Sequence, residues 1–275
     1  MIKFFRHIRK NLLMENKTGK PAMPAGRYLK YAIGEIILVV IGILIALQVN
    51  NWNTYRNKKE QVVHYSKLLT EDISNDIKMI KESQFQAIKS FKRIDSLKSY
   101  MSSTNMENLS NTDLFVLTHD IMYKPFVWNR ATLDEMKSSE IMQYFKNDSL
   151  KNKLIKYESF TYHLDEDFNH DLSNAQKAEE KIAEILNLNN TYFSDMLVLE
   201  QERFNDPYLN LFETELYQKA KQNELQLIIK NANDLKKFLN TFILIQDSYR
   251  IRAFLEMNEI IYDAEQIIQL IEKEN

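Results

Sequence analysis

Apolar residues follow two patterns along this chain, one continuous and one periodic. Residues 31–49 (YAIGEIILVVIGILIALQV) are almost entirely apolar, and their unbroken apolar core runs from Ile36 to Leu47. From Val62 to Leu97, and again from Leu235 to Ile271, apolar residues recur at steps of three and four. Such steps place side chains on one face of an α-helix. The pattern predicts an N-terminal helix of membrane-spanning length that runs on into the first of two long amphipathic helices.

The periodic stretches define two predicted buried stripes. The first consists of Val62, Tyr65, Leu69, Ile73, Ile77, Ile80, Gln84 or Phe85, Ile88, Phe91, Ile94 and Leu97. The second consists of Leu235, Phe238, Phe242, Ile245, Tyr249, Ala253, Ile260, Ala264, Ile267 and Ile271, within a helix predicted over 234–272. A third long helix is predicted over 150–188, with an N-cap region at 147–149. Three helices of roughly forty residues predict an elongated antiparallel bundle.

Shorter elements are predicted between the long helices. The Ser-, Thr- and Asn-rich stretch 102–111 reads as a loop, and a helix over 112–123 should end before Pro125. Thr132 and Glu135 have the spacing of a capping box that opens another helix. A turn is predicted at 187–191, and a break at 204–207.

Glycine is confined to the N-terminal part of the chain. All four glycines (Gly19, Gly26, Gly34 and Gly42) precede Ile43, and the only later prolines are Pro125 and Pro207. A sheet protein of this size needs glycine-containing turns to reverse its chain, whereas a helical bundle does not. The chain is therefore predicted to be all-α. Glycine-dependent phosphate loops are excluded from the part after Ile43, and with them ATPase and dinucleotide-enzyme chemistry.

The apolar segment is predicted to be an uncleaved membrane anchor. Residues 31–49 span about 28 Å as a helix, close to the thickness of the hydrocarbon core. Tyr28 and Tyr31 at one end, and Trp52 and Tyr55 at the other, are placed as interfacial anchors. A signal peptide would start nearer the N-terminus and end in a small-residue cleavage site, whereas this segment ends in QVNNWN.

The distribution of basic residues predicts the orientation. Lys and Arg on the N-terminal side are Lys3, Arg6, Arg9, Lys10, Lys17, Lys20, Arg27 and Lys30, against Arg56, Lys58 and Lys59 on the other. By the positive-inside rule, residues 1–27 should be cytoplasmic, 28–52 should span the membrane, and 53–275 should lie outside the cytoplasm. Residues 1–16 form a basic amphipathic pattern that either lies on an anionic leaflet or serves only to set the topology. A loop is predicted over 19–26.

One face of the apolar helix carries Glu35, Gly42 and Ala46. Gly42 and Ala46 have the small-xxx-small spacing that lets two helices approach closely in a membrane. This face is a candidate packing face for a second copy or for a partner helix. Glu35 belongs to the same face, but it lies only about 6 Å along the helix from Tyr31 and could also reach the interface.

The densest group of histidines and carboxylates lies at residues 163–171. It comprises His163, Asp165, Glu166, Asp167, His170 and Asp171. Seven residues separate the two histidines, which is about 10 Å of helix and too far for one metal ion. The interpretation is a solvated acidic face without metal. The aromatic residues Phe126, Trp128, Tyr144, Tyr157, Phe160, Tyr162 and Phe168 are interpreted as core.

Composition narrows the choice of partners and cofactors. The net charge is −2 with both signs interspersed, which argues against nucleic acid as a partner. The chain has no cysteine, which excludes thiol chemistry. No motif for a catalytic triad or a nucleotide cofactor is present, so neither catalysis nor a cofactor is expected.

Two stretches resemble an uncharacterised family of bacterial single-span membrane proteins. The first is GKPAMPAGR at 19–27 with the following YLKYAIGE and IILVVIGILIALQVNNW, and the second is NRATLDEMKSS at 129–139. The family often has glycine after the paired serines, where this chain has Glu140, so no tight turn is expected there. The resemblance implies a single-span helical protein of the inner membrane. It implies no activity.

These observations favour a membrane-anchored interaction or scaffold module of the cell envelope that is not an enzyme. Its expected partners are the lipid bilayer and either a second copy or an envelope protein. The alternative is an extracytoplasmic ligand-sensing domain that works through a partner. An enclosed pocket with convergent polar groups would favour sensing, whereas a filled core would favour an interaction module.

Overall fold

The structure, a computed structural model, describes the backbone of residues 25–274 and the side chains from residue 32 onward. The α-helices are α1 (Ala25–Ser103), α2 (Asn111–Thr118), α3 (Ala131–Ser138), α4 (Asp148–Ile185), α5 (Tyr192–Glu202), α6 (Glu215–Gln222), α7 (Ala232–Ile251) and α8 (Met257–Glu274). Short 3-10 helices lie at Met106–Asn108, Ile141–Tyr144 and Leu211–Glu213, and a π-helix at Arg252–Glu256 joins α7 to α8. No strand occurs between residues 25 and 274, so the predicted all-α class is confirmed.

The chain divides into two compact units, residues 1–58 and 59–275. In the first unit, α1 begins at Ala25, so the end of the loop predicted over 19–26 is helical instead. The amphipathic pattern of residues 1–16 lies outside the described residues. The second unit contains the hydrophobic core.

Within the second unit, the last helices run antiparallel to α1. Lys81 pairs with Glu265 at 3.6 Å, and Lys98 donates a hydrogen bond to Gln246 at 3.1 Å. Residues further along α1 contact residues that come earlier in α7 and α8. The chain direction of α1 is therefore opposite to that of α7 and α8.

The helix α4 is also antiparallel to α7 and α8. Lys153 pairs with Asp263 at 3.2 Å, and Asp171, eighteen residues further along α4, pairs with Arg252 at 3.1 Å. It follows that α1 and α4 run in the same direction. A parallel pair needs a connection that runs back along the first helix.

Both predicted stripes are found in the core. On α1, Val62, Leu69, Ile73, Ile80, Ile94 and Leu97 are buried, and Tyr65, Ile77, Ile88 and Phe91 are partly buried. On α7, the π-helix and α8, all ten residues of the second stripe are buried. The apolar periodicity therefore located both faces correctly. It missed a set of buried polar residues on α1, namely Ser66, Asp76, Ser83, Gln86 and Ser90.

Several of these polar residues hold an extended segment, residues 119–130, which we call the crossover segment. Four side chains of α1 bond to its backbone: Asp76 accepts from the Asn129 amide (3.0 Å), Gln86 accepts from the Lys124 amide (2.7 Å), and Ser83 and Arg93 donate to the carbonyls of Lys124 (3.1 Å) and His119 (2.6 Å). Positions 76, 83, 86 and 93 share one helix face. The crossover segment thus descends along α1 and returns the chain to the start of α4.

The crossover segment corrects the helix predicted over 112–123. α2 ends at Thr118, because His119 is extended and Asp120 has a φ of 44°. The residue before a proline disfavours helix, so the stretch leading to Pro125 is already biased toward extended backbone. Buried extended backbone also needs hydrogen-bond partners, and α1 supplies them.

The helix caps were predicted with mixed success. Asn147 caps α4 as predicted, because its side chain accepts hydrogen bonds from the amides of Ser149 and Leu150 at 2.9 and 3.2 Å. The capping box at Thr132 is wrong. α3 begins at Ala131, and its N-cap residue, Arg130, makes no side-chain cap bond. Arg130 instead binds Asp165 of α4 at 2.6 Å, so a tertiary ion pair sets where this helix starts.

The expectation that no tight turn follows α3 is also wrong. Glu140 has φ 60° and ψ 17°, the left-handed conformation that commonly ends helices and that glycine adopts most easily. The amide of Ser139 donates to the Glu135 carbonyl at 2.9 Å, and that of Glu140 donates to the Lys137 carbonyl at 3.2 Å. The turn is therefore retained without glycine, at the cost of a strained backbone.

Replacing Glu140 by glycine should relieve this strain. A left-handed conformation costs an L-residue about 1–2 kcal/mol, and the greater freedom of glycine in the unfolded chain offsets roughly half of the gain. We expect Glu140→Gly to raise the free energy of unfolding by about 0.5–1 kcal/mol, measured by denaturant unfolding in detergent. Glu140→Ala, which also removes the carboxylate but keeps the strain, should give no such rise. Equal stabilities of the two variants would contradict the strain argument.

Candidate functional site

The first unit presents a continuous belt of exposed apolar side chains. Every large apolar residue from Ile33 to Val49 is more than 40% exposed, and Ile36 is 62% exposed. This is the one helix of the described chain that is long and apolar enough to cross a membrane. Such a belt is rare on a protein surface that faces water and marks a membrane or protein contact.

The candidate packing face lies within this belt. Glu35, Gly42 and Ala46 are on one side of α1, as their spacing requires. A side chain added at Gly42 would meet no atom within 4 Å. The glycine is therefore not required by the packing of this chain itself. Trp52 and Tyr55 are exposed as interfacial anchors should be, whereas the side chains of Tyr28 and Tyr31 lie outside the described part.

A buried charge cluster in the second unit centres on Glu200 of α5. One carboxylate oxygen accepts from Arg93 and lies 3.1 Å from the ammonium of Lys89, and both of these residues belong to α1. The other oxygen contacts Nε2 of His119 in the crossover segment. The Glu200 side chain is only 4% exposed. One carboxylate thus ties three elements together.

The electrostatics of the cluster favour the ionised carboxylate. Burial by itself would raise the pKa of Glu200, but the hydrogen bond from His119 and the charges of Arg93 and Lys89 hold that pKa well below its usual range. Nδ1 of His119 faces the Phe115 carbonyl at 2.7 Å. Both ring nitrogens of His119 therefore face oxygen atoms.

The geometry of this cluster is structural rather than catalytic. His119 has no ring nitrogen left to exchange a proton with a substrate, and the ring of Phe115 stacks on its face at 4.9 Å. The cavity beside Glu200 and Asp120 has a volume of about 10 Å³. That is barely enough for one water molecule.

A second charge cluster centres on Arg252, the first residue of the π-helix. Its guanidinium group, 5% exposed, binds Asp171 at 3.1 Å and also contacts Asp167 and Glu256. The hydroxyl of Tyr123 donates to Asp171 at 2.8 Å. Burial raises the pKa of Asp171 above its usual range, although Arg252 opposes the shift. A π-helix is rare and is often found at functional sites.

This cluster corrects the interpretation of residues 163–171 as a solvated acidic face. Asp171 is buried, and Asp165 accepts from the indole of Trp128 at 2.7 Å. Glu166 and His170 are exposed as predicted. His163 lies 3.1 Å from Asp167 on the same helix and 3.5 Å from Glu256 of the π-helix. These three residues could hold a metal ion.

An open groove lies on α1, with a volume of about 460 Å³. Ile77 and Phe85 form its apolar part, and Lys78, Lys81 and Glu82 lie around them. The groove is open to solvent and has no buried polar group converging on it. It lacks the enclosure that a small-molecule site normally has.

Sequence reasoning missed both charge clusters for the same reason. Glu200, His119 and Arg93 are far apart in the chain and lie in elements whose apolar pattern gives no sign of them. Arg252 and Asp171 are likewise 81 residues apart in the chain. The one available signal was Arg252 itself, a charged residue directly before Ala253 on a predicted buried stripe.

Neutralising Glu200 should destabilise the second unit. Glu200→Gln keeps the size of the side chain but leaves Arg93 and Lys89 without a counter-charge, which should cost about 3 kcal/mol of unfolding free energy at pH 7. Glu202→Gln, an exposed change on the same helix, should have little effect. Thermal unfolding of both variants measures the difference.

The pH dependence of this difference follows from the depressed pKa of Glu200. The stabilisation is fully present above the ordinary pKa of 4.5 and is lost as the pH falls through the lower pKa of the folded state. The wild type and Glu200→Gln should therefore converge in acid. A difference between them that does not shrink would show that the charge is not its source.

Comparison with known proteins gives a partial match. A family of unknown function, DUF6090, matches residues 35–124, which include most of the apolar belt, the rest of α1, α2 and the crossover segment as far as Lys124. No curated protein and no solved structure matches the chain. The stretches 19–34 and 129–139, which also suggested a family resemblance, lie outside the matched residues. Over about a third of its length, the chain is similar to this family of unknown function.

Proposed function

We propose that this chain is a single-pass inner-membrane protein of bacteria whose helical domain, residues 53–275, lies in the periplasm and acts by binding another protein rather than by catalysis. The observation that carries the proposal is the exposed apolar belt of α1. Its partner is in the first instance the lipid bilayer.

The belt supports membrane anchoring on energetic grounds. Burying apolar surface is worth about 25 cal/mol per Å², so a run of exposed Ile, Leu and Val side chains from Ile33 to Val49 is costly in water. The hydrocarbon core of a bilayer removes that cost. The backbone of a continuous helix also satisfies its own hydrogen bonds, as a membrane span requires.

The filled core supports an interaction role in preference to ligand sensing. In the part of the chain that the structure describes, the cavity beside Glu200 is water-sized and the groove on α1 is open. A sensing domain would need an enclosed site with converging polar groups. A rigid helical surface without such a site is suited to a protein partner.

The packing face supports self-association as the first interaction to test. Gly42 has open space around it, and Ala46 follows one turn later. Two helices with small residues at this spacing can approach closely and pack along their backbones. Glu35 lies on the same face, where a polar side chain can hydrogen-bond across the helix pair.

Topology is the first test, because it decides which compartment a partner must occupy. The chain has no cysteine, so Ser103→Cys, at the exposed C-terminal end of α1, gives a single reporter. With the outer membrane made permeable, a thiol reagent that cannot cross the inner membrane should label this residue in intact cells. Protection until lysis would place the domain in the cytoplasm and overturn the periplasmic assignment.

Self-association is tested by crosslinking in the membrane. We expect Val49→Cys, on the same face as Gly42, to form a crosslinked dimer, and the additional change Gly42→Leu to reduce its yield because leucine separates the helices. Gly34→Leu is the matched control, since Gly34 has equally open surroundings but lies off the face. Crosslinking that Gly42→Leu leaves unchanged would rule out this packing face.

A further inference from the structure

His163, Asp167 and Glu256 converge at one point on the surface of the second unit. Nε2 of His163 lies 3.1 Å from Asp167 Oδ2 and 3.5 Å from Glu256 Oε1. All three ligand atoms lie within 4.8 Å of one another. His163 and Asp167 are one turn apart on α4, and the π-helix contributes Glu256 from across the bundle.

The separations fit a tetrahedral metal ion. Zinc binds histidine nitrogen and carboxylate oxygen at about 2.1 Å, and two ligands at that distance in a tetrahedron lie about 3.4 Å apart. The two distances from His163 Nε2 bracket this value. Nitrogen with two carboxylates also suits zinc and similar transition ions better than magnesium or calcium, which prefer oxygen ligands throughout.

The local charge independently favours a cation. Three carboxylates, those of Asp167, Asp171 and Glu256, surround the single guanidinium of Arg252. The formal charges of these three carboxylates and the guanidinium sum to −2. One oxygen of Asp171, a residue only 1% exposed, has no hydrogen-bond partner. A buried carboxylate oxygen without a hydrogen bond is rare in proteins.

The ligands are held in place before an ion arrives. Arg252 contacts both Asp167 and Glu256, and hydrogen-bonded carboxylates are typical of protein metal sites. Phe160 stacks on the ring of His163 at a centroid distance of 5.7 Å. The side chain of His163 is half exposed, so the site is reachable from solvent and leaves a position for water.

We propose that His163, Asp167 and Glu256 bind one divalent ion of the zinc class. The site lies wholly in the second unit and does not depend on the proposed membrane role. The bound ion would connect α4 to the π-helix and offset the excess negative charge around Arg252.

The test is a zinc titration of the full-length protein in detergent, without a histidine tag and after removal of metal by a chelator. Calorimetry should show one Zn²⁺ per chain, and the bound ion should raise the melting temperature. His163→Ala should weaken binding by about tenfold or more. Glu256→Gln should weaken it as well. His170→Ala is the matched control, because His170 is an exposed histidine of the same helix and is not one of the three ligands.

The two results lead to opposite conclusions. The site is supported if His163→Ala and Glu256→Gln bind zinc more weakly than the wild type and His170→Ala binds it equally well. Circular dichroism and melting without zinc establish that the variants are folded. A wild type that binds no zinc, or a His163→Ala variant that binds it as well as the wild type, overturns the proposal and leaves adventitious binding only.

Discussion

The arrangement of the bundle depends on the hydrogen bonds that α1 makes to the crossover segment. Extended backbone cannot be buried between helices unless its amides and carbonyls find partners. Asp76, Ser83, Gln86 and Arg93 supply them from one face of α1. Because this face holds the crossover segment, which runs back along α1, α4 can run parallel to α1. The helices α7 and α8 then run antiparallel to both.

The same segment joins the two charge clusters. His119 enters the cluster of Glu200, and Tyr123, four residues later, enters that of Arg252. Charges this deeply buried stabilise a fold only when their partners are complete, and removing one partner costs far more than the pair contributes. The clusters therefore fix the position of the crossover segment more strictly than apolar packing would, because apolar contacts tolerate small displacements and ion pairs do not.

The two units differ in how much of their apolar surface is buried within the chain. In the second unit, apolar side chains fill a core, and the buried charges of Glu200 and Arg252 meet opposite charges. In the first unit, the large apolar side chains from Ile33 to Val49 are exposed. A helix of this kind is incomplete without a bilayer or another helix, and this is why the proposed function rests on it.

The sequence by itself determined the helical class, the apolar anchor segment and nearly every apolar position of the two long stripes, because side-chain periodicity follows directly from helix geometry. It also located the cap at Asn147. Only the tertiary structure decided that α2 stops at Thr118, that Glu140 is left-handed, and that Glu256 lies beside His163. Each of these depends on partners that are distant in the chain. Polar contacts of this kind leave no periodic signal, because a buried polar residue is specified by the one group it meets and not by the spacing of its neighbours.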